Sequence, residues 1–143
     1  MTIRTALNGT LVVVALTTFS VAYAGETDKE KALKDGAHQL TADEIAERFA
    51  NKTATFVPPS GDKEFLIYYG KESELAGKQV GGDWSATGYY GISDDNTICL
   101  SWQSDKGRLA CRSVLVKDGD IKKYKVDGSL LGSITKLEEG KTF

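Results

Sequence analysis

The chain has 143 residues and carries 18 lysines and arginines against 20 aspartates and glutamates, a formal net charge of −2 at pH 7. This mildly acidic balance excludes the basic footprint of proteins that bind nucleic acid or anionic membrane surfaces. The length is that of one domain, and 15 glycines beside 2 prolines favour short strands joined by tight turns.

Residues 1–24 have the pattern of a signal peptide. Arg4 supplies a positive amino end, residues 11–19 form an apolar run, and small residues precede Gly25 at the cleavage position. The apolar run is too short to anchor the chain as a membrane span. We therefore expect a mature protein that begins at Gly25, does not span a membrane, and is periplasmic or secreted.

Residues 25–39 are polar, charged and without periodicity, which predicts a flexible leader with at most a frayed helical turn. His38, the only histidine, lies in this leader and is expected to be solvated. The remaining residues, 40–143, are expected to form a single β-rich domain.

The β-rich domain is expected to begin with a short helix over residues 42–50. Thr41 and Glu44 have the spacing of a capping box, in which each side chain accepts a hydrogen bond from the other residue's backbone N–H. Ile45 and Phe49 lie one turn apart and form an apolar stripe. A helix this short must pack on the rest of the domain, because short helices are marginal alone in water.

The rest of the chain has the composition of strands, rich in aromatic and β-branched residues. Three strand-like segments follow the helix, at residues 53–57, 65–69 and 84–92. Asp118-Gly119 and Asp127-Gly128 are sequence signals of type I′ hairpin turns. They predict an antiparallel meander of four strands, at residues 96–103, 109–116, 121–126 and 129–137.

The hairpin turns also fix which residues face each other. They place Ile121 opposite both Val116 and Ile134, and Val126 opposite Ser129.

A third turn is expected at residues 104–107. If Cys99 faces Cys111, this turn is centred on Asp105, and directly opposed residues lie within reach of a disulfide. Exported domains usually hold such a pair of cysteines as a disulfide, so we predict this bridge.

Both faces of the meander are apolar. One face carries Ile98, Leu100, Trp102, Ala110, Val114, Val116, Ile121, Leu130 and Ile134. The opposite face carries the cystine, Leu109, Leu115, Tyr124, Val126 and Leu131. Such a sheet needs cover on both sides, which predicts a mainly β fold: a small antiparallel barrel or rolled sheet with one short N-terminal helix. The alternative is an open sheet with the helix on one face.

Several short motifs occur in a defined order along residues 40–140. They are Leu40-Thr-Ala-Asp-Glu-Ile45, Asn51-Lys-Thr53, Tyr68-Tyr69, Leu75-Ala-Gly77, Gly82-Asp-Trp84, Cys99-Leu-Ser-Trp102, Cys111 and Asp127-Gly-Ser-Leu-Leu-Gly132. In this order the chain resembles the small secreted bacterial proteins of the domain of unknown function family numbered 995. It departs from them after Tyr69, where an Asp-Gly turn is more typical. The resemblance implies export, a cystine and the same fold, and it carries over no catalytic residue.

No group of residues has the pattern of a catalytic or metal site. A single histidine leaves no Ser-His-Asp or Cys-His arrangement, and bridged cysteines cannot act as nucleophiles or metal ligands. The acidic residues at 94–96 and 118–120 lack the spacing of a calcium loop and indicate turns. We therefore expect no catalytic residue, no metal and no cofactor, and a protein that is not an enzyme.

Five residues are candidates for ligand binding. Gly82-Asp-Trp84 is similar to the Gly-x-Trp that opens the first strand of lipocalins, but its place in mid-chain favours Trp84 and Trp102 as core aromatics. Arg112 shares the first face of the meander with Lys123 and Lys125 of the adjacent strand. Around a barrel mouth, these three cations would form a basic rim over an apolar floor, suited to an amphipathic anion.

Arg112 has two alternative roles that need no ligand. Its side chain can extend to the solvent at the rim, or it can pair with an acid such as Glu72 or Glu74.

Two functions follow from these features. The first is an exported, non-catalytic envelope or secreted module that binds a protein or cell-surface partner. The alternative is a carrier that holds a small apolar or amphipathic ligand in a barrel cavity.

Overall fold

The computed structural model describes residues 24–143, so nearly all of the predicted signal peptide lies outside the described residues. The helices are α1 (Asp28–Lys34) and α2 (Ala42–Phe49). The strands are β1 (His38–Gln39), β2 (Lys52–Val57), β3 (Phe65–Tyr69), β4 (Glu74–Gln79), β5 (Ser85–Ser93), β6 (Thr97–Trp102), β7 (Leu109–Lys117), β8 (Asp120–Tyr124) and β9 (Leu130–Glu139). From residue 24 onward, no helix is long and apolar enough to cross a membrane.

Strands β2 to β9 form a closed antiparallel barrel. Each strand pairs with the next along the chain, and β9 pairs with β2 to close the sheet. Closure leaves no unpaired edge among these eight strands and encloses the apolar face of the sheet. The predicted barrel is confirmed, and the open-sheet alternative is wrong. Strand β4 was not predicted, because Ala76 and Gly77 have little strand propensity.

Helix α2 covers the end of the barrel at which β2 begins, here called the closed end. Its predicted capping box is present, with Glu44 N–H donating to Thr41 Oγ1 over 3.3 Å and Thr41 N–H donating to Glu44 Oε2 over 2.8 Å. Ile45 and Phe49 are completely buried, so the apolar stripe of the helix packs on the barrel interior. The opposite end, at which β6 ends and β7 begins, is covered by neither α1 nor α2 in the part of the chain that the structure describes, and is here called the open end.

The predicted flexible leader instead contains an ordered helix. Helix α1 begins with a second capping box, formed by Thr27 and Glu30, and none of its residues is buried. The Asp28 carboxylate accepts a hydrogen bond from Leu130 N–H over 3.0 Å, which attaches the helix to the outside of the barrel. Periodicity could not reveal this helix, because polar contacts rather than an apolar stripe hold it.

The predicted register of the meander is largely confirmed. Cys99 faces Cys111 and the two form a disulfide, and Ile121 lies opposite both Val116 and Ile134. The first of the two predicted faces is the interior, with most of its residues in the core around Ile98 and Val114.

The prediction fails at the last hairpin. Lys123 pairs with Gly132 but Tyr124 pairs with Leu130, so Leu131 is the extra residue of a bulge. Strand β8 therefore ends at Tyr124, and Val126 does not pair with Ser129 within the sheet but is 85% exposed in the turn. Leu131, predicted on the outer face, lines the interior instead.

Candidate functional site

The interior of the barrel contains a half-open cavity of about 260 Å³ toward its open end. Its apolar wall includes Phe56, Ile67, Leu100 and Trp102. Three charged residues also line it, and they are Asp105, Arg112 and Lys123. The strand pattern explains the apolar wall, because alternate residues of a barrel strand point inward. It does not explain why two cations share that interior.

Lys123 is the most unusual residue of this cavity. Its side chain is only 2% exposed, and its Nζ donates a hydrogen bond to the hydroxyl of Tyr69. The Nζ also lies 4.8 Å from the ring centroid of Tyr69 and 5.0 Å from that of Phe49, within cation–π range. Within residues 24–143, no carboxylate forms an ion pair with it. Among the described residues, the buried amine is therefore held by two aromatic residues: Tyr69, through its hydroxyl and ring, and Phe49, through its ring.

The surroundings of Lys123 change its charge. Burial, together with the nearby Arg112, lowers the pKa of Lys123 from its ordinary value of 10.5 to about 7. A substantial fraction of the amine is therefore neutral near pH 7. Burial raises the pKa of Tyr69, with a further contribution from Tyr90, so the phenol that faces the amine stays protonated.

Arg112 is half-buried and lies on the inner face of β7, opposite Ile98 on β6. Its Nη1 donates to the backbone carbonyl of the adjacent Cys111 over 2.8 Å. Burial lowers the pKa of Arg112, while Asp127 acts in the opposite direction.

The alternative ion pair of Arg112 with Glu72 or Glu74 is not formed, since both acids lie at the closed end, Glu72 in the β3–β4 turn and Glu74 as the first residue of β4. The Glu74 carboxylate instead accepts a hydrogen bond from Glu72 N–H.

The two tryptophans pack against each other at the open end, and both are half-buried. Trp102 packs against the core as predicted, whereas Trp84 does not belong to the core. Their ring centroids are 5.5 Å apart at 77°, and Trp84 also packs edge-on against Phe65 at 5.6 Å. Only Trp102 lines the cavity. Gly77 makes room for the pair, because a Cβ at that position would lie 2.8 Å from both indole rings. Trp84 precedes β5, the fourth barrel strand, and so does not open the first strand as in a lipocalin.

The three cations Arg112, Lys123 and Lys125 do not form the predicted rim around the mouth of the barrel. Lys125 lies in the turn after β8, exposed to solvent, and does not line the cavity, whereas Lys123 is inside. The acid that lines the cavity is Asp105, which forms an ion pair with the exposed Arg108 at 3.7 Å. The structure thus brings together Arg112, Trp102 and Lys123, with Trp84 behind Trp102, and leaves Lys125 outside.

Two residues of the site were missed by sequence reasoning. Tyr69 and Phe49 belong to β3 and to the end of α2, and their packing around Nζ depends on how the helix lies across the closed end. Parity places Lys123 on the same face as Ile121, a core residue of the same strand, but this position was predicted to be part of the rim. His38 is exposed and contacts Glu44, and the part of the chain described here holds no cluster of potential metal ligands.

No protein-family model, no curated protein and no solved structure matches this chain. The family resemblance therefore stays a prediction, and function has to be inferred from the cavity itself.

Proposed function

We propose that the protein binds a small amphipathic anion, with the apolar part of the ligand inside the barrel and its negative group close to Lys123 and Arg112. The observation that carries this proposal is the 2% exposed amine of Lys123, which lines the cavity and has no acidic partner among residues 24–143. It is a carrier or sensor function and requires no catalytic step.

The electrostatics of the cavity favour an anion. A charged group removed from water is costly unless an opposite charge or several hydrogen bonds compensate it. Lys123 has one hydrogen bond, to Tyr69, and Arg112 has one in the described residues, to a backbone carbonyl. A carboxylate between the two cations would compensate both at once and would favour the protonated form of Lys123.

The size of the cavity restricts the ligand. Its volume of about 260 Å³ lies just below the range of roughly 300–1,000 Å³ usual for small-molecule sites, so the ligand is small. Medium-chain carboxylates such as octanoate have this combination of a short apolar chain and one negative charge.

The test is a binding titration of the mature protein with hexanoate, octanoate and dodecanoate, followed by tryptophan fluorescence. Trp102 lies in the cavity wall and reports occupancy directly. We expect octanoate to bind, octanol to bind at least ten-fold more weakly, and Lys123→Met to lose that preference for the anion. Lys125→Met is the matched control, because Lys125 is exposed and outside the cavity. Equal binding of octanoate and octanol by the wild type would contradict the proposal.

A second proposal is the exported, non-catalytic module that binds an envelope or cell-surface protein. Two exposed apolar side chains favour this function, Tyr89 (64% exposed) and Leu109 (69% exposed). Both residues pair with Ser101, so they lie side by side on the outer wall of the barrel. A cross-linked partner recovered with the wild type and with Lys123→Met, but lost in Tyr89→Ser/Leu109→Ser, would support it. Retention of that partner by the double variant would contradict it.

Export is part of both proposals. We expect N-terminal sequencing of the protein from its native host to give Gly25 as the first residue, in the periplasm or the medium. A cytoplasmic pool that retains Met1 would contradict export.

A further inference from the structure

The amine of Lys123 can react as a nucleophile, in addition to attracting an anion by its charge. Its stem lines the cavity, and within residues 24–143 only the Tyr69 hydroxyl holds its Nζ by a hydrogen bond. No described ion pair has to break for the amine to turn toward a ligand. Lysines that form imines with carbonyl compounds are typically buried in this way, without an acid that keeps them charged.

We propose that Lys123 binds small aldehydes that carry a negative group, by forming an imine between its Nζ and the aldehyde carbon. This inference rests on the proposed function, because the cavity that receives the anion also receives the aldehyde. The Nζ lone pair attacks the carbonyl carbon, and a C–N bond forms. The carbonyl oxygen then leaves as water with both hydrogens of the amine, so the C=N bond forms without oxidant or reductant.

Three features of the site suit this reaction. The attacking amine must be neutral, and burial of Lys123 provides a neutral fraction near pH 7. Arg112 lines the same cavity and can meet the negative group of the aldehyde through its planar guanidinium. The apolar wall around Trp102 and Leu100 limits water, which would hydrolyse the imine.

The probe is 4-carboxybenzaldehyde, which has a rigid apolar ring between an aldehyde and a carboxylate. The mature protein is incubated with it at pH 7.5, reduced with sodium borohydride, and analysed by intact mass and peptide mapping. We expect one adduct per chain, at Lys123, although exposed Lys122 and Lys125 flank it in sequence. We also expect Lys123→Arg to lose the adduct and Lys122→Arg to keep it. Adducts spread over exposed lysines, with Lys123 unmodified in the wild type, would overturn the proposal.

A parallel titration separates the imine from the binding function. The alcohol analogue, 4-carboxybenzyl alcohol, cannot form an imine but can occupy the cavity, and Trp102 fluorescence follows it. Binding of the alcohol with no aldehyde adduct rejects imine formation and leaves the anion proposal standing. Neither binding nor adduct rejects both. Peptide mapping of the wild type locates the adduct even where a variant fails to fold.

Discussion

Lys123 on β8 donates a hydrogen bond to the hydroxyl of Tyr69 on β3, a residue 54 positions earlier in the chain. The bond crosses the interior of the barrel and joins strands that are not neighbours in the sheet. Phe49 of α2 packs against the same amine. Lys123 of β8 thus contacts helix α2, strand β3 and the cavity. Stability and ligand binding are therefore linked through this pair.

Removing the pair should stabilise the protein. In Lys123→Met/Tyr69→Phe the buried amine and phenol are replaced by apolar groups of similar shape, and neither is left unpaired. We expect the free energy of unfolding at pH 7 to rise by about 1–3 kcal/mol, measured by urea denaturation. Lys125→Met, in the exposed turn, should change it by no more than about 0.5 kcal/mol. Destabilisation of the double variant would mean that the pair contributes to folding.

Stability should also rise with pH. The pKa of Lys123 is about 7 in the folded protein against an ordinary value of 10.5, so the unfolded chain binds more protons between these values. The free energy of unfolding should increase from pH 7 toward pH 9.5, beyond which the raised pKa of Tyr69 acts in the opposite direction. Comparison of wild type with Lys123→Met isolates this contribution. Parallel pH profiles for the two proteins would contradict it.

Reduction of the disulfide should lower the melting temperature. Cys99 and Cys111 are 12 positions apart, and a bridge across so short a loop contributes roughly 3 kcal/mol by restricting the unfolded chain. Unfolded, non-reduced protein should show no free thiol, and Cys99→Ala/Cys111→Ala should melt at the temperature of the reduced wild type. Two titratable thiols in the untreated protein would contradict the bridge.

Filling the space at Gly77 should disturb the tryptophan pair. A Cβ there would lie 2.8 Å from both Trp84 and Trp102, so we expect Gly77→Ala to cost about 1–3 kcal/mol and to change tryptophan fluorescence. Gly91→Ala is the matched control, since it lies in the next strand and nothing is within 4 Å of the added Cβ. If the two substitutions changed the free energy of unfolding equally, the effect of Gly77→Ala would come from strand propensity and not from contact with the tryptophans.

The parts of the fold that follow local rules were predictable from the sequence. The capping box at Thr41, the disulfide and most of the meander register depend on turn chemistry and on parity, which are local. The docked helix α1 and the bulge at Leu131 depend on contacts that no periodic pattern records. Arg112 and Trp102 were recognised by parity.

The position of Lys123 differs from the prediction. The sequence placed this lysine at the rim of the barrel, whereas the structure buries it in the interior. Its long side chain follows the cavity to Tyr69, and that path depends on how far α2 leaves the interior open. Lys125 lies outside because β8 ends one residue before it. The point at which β8 ends, and not the type of residue, decides that Lys123 is buried and Lys125 exposed.

The most direct measurement is an NMR titration of Lys123 in protein with 13C-labelled lysine, in the absence and presence of saturating octanoate. The free protein should show one lysine that titrates near pH 7, assigned through Lys123→Arg. Because an anion beside the amine favours its charged form, octanoate should move that titration to higher pH. A titration of Lys123 that is the same with and without octanoate would contradict anion binding at the buried amine.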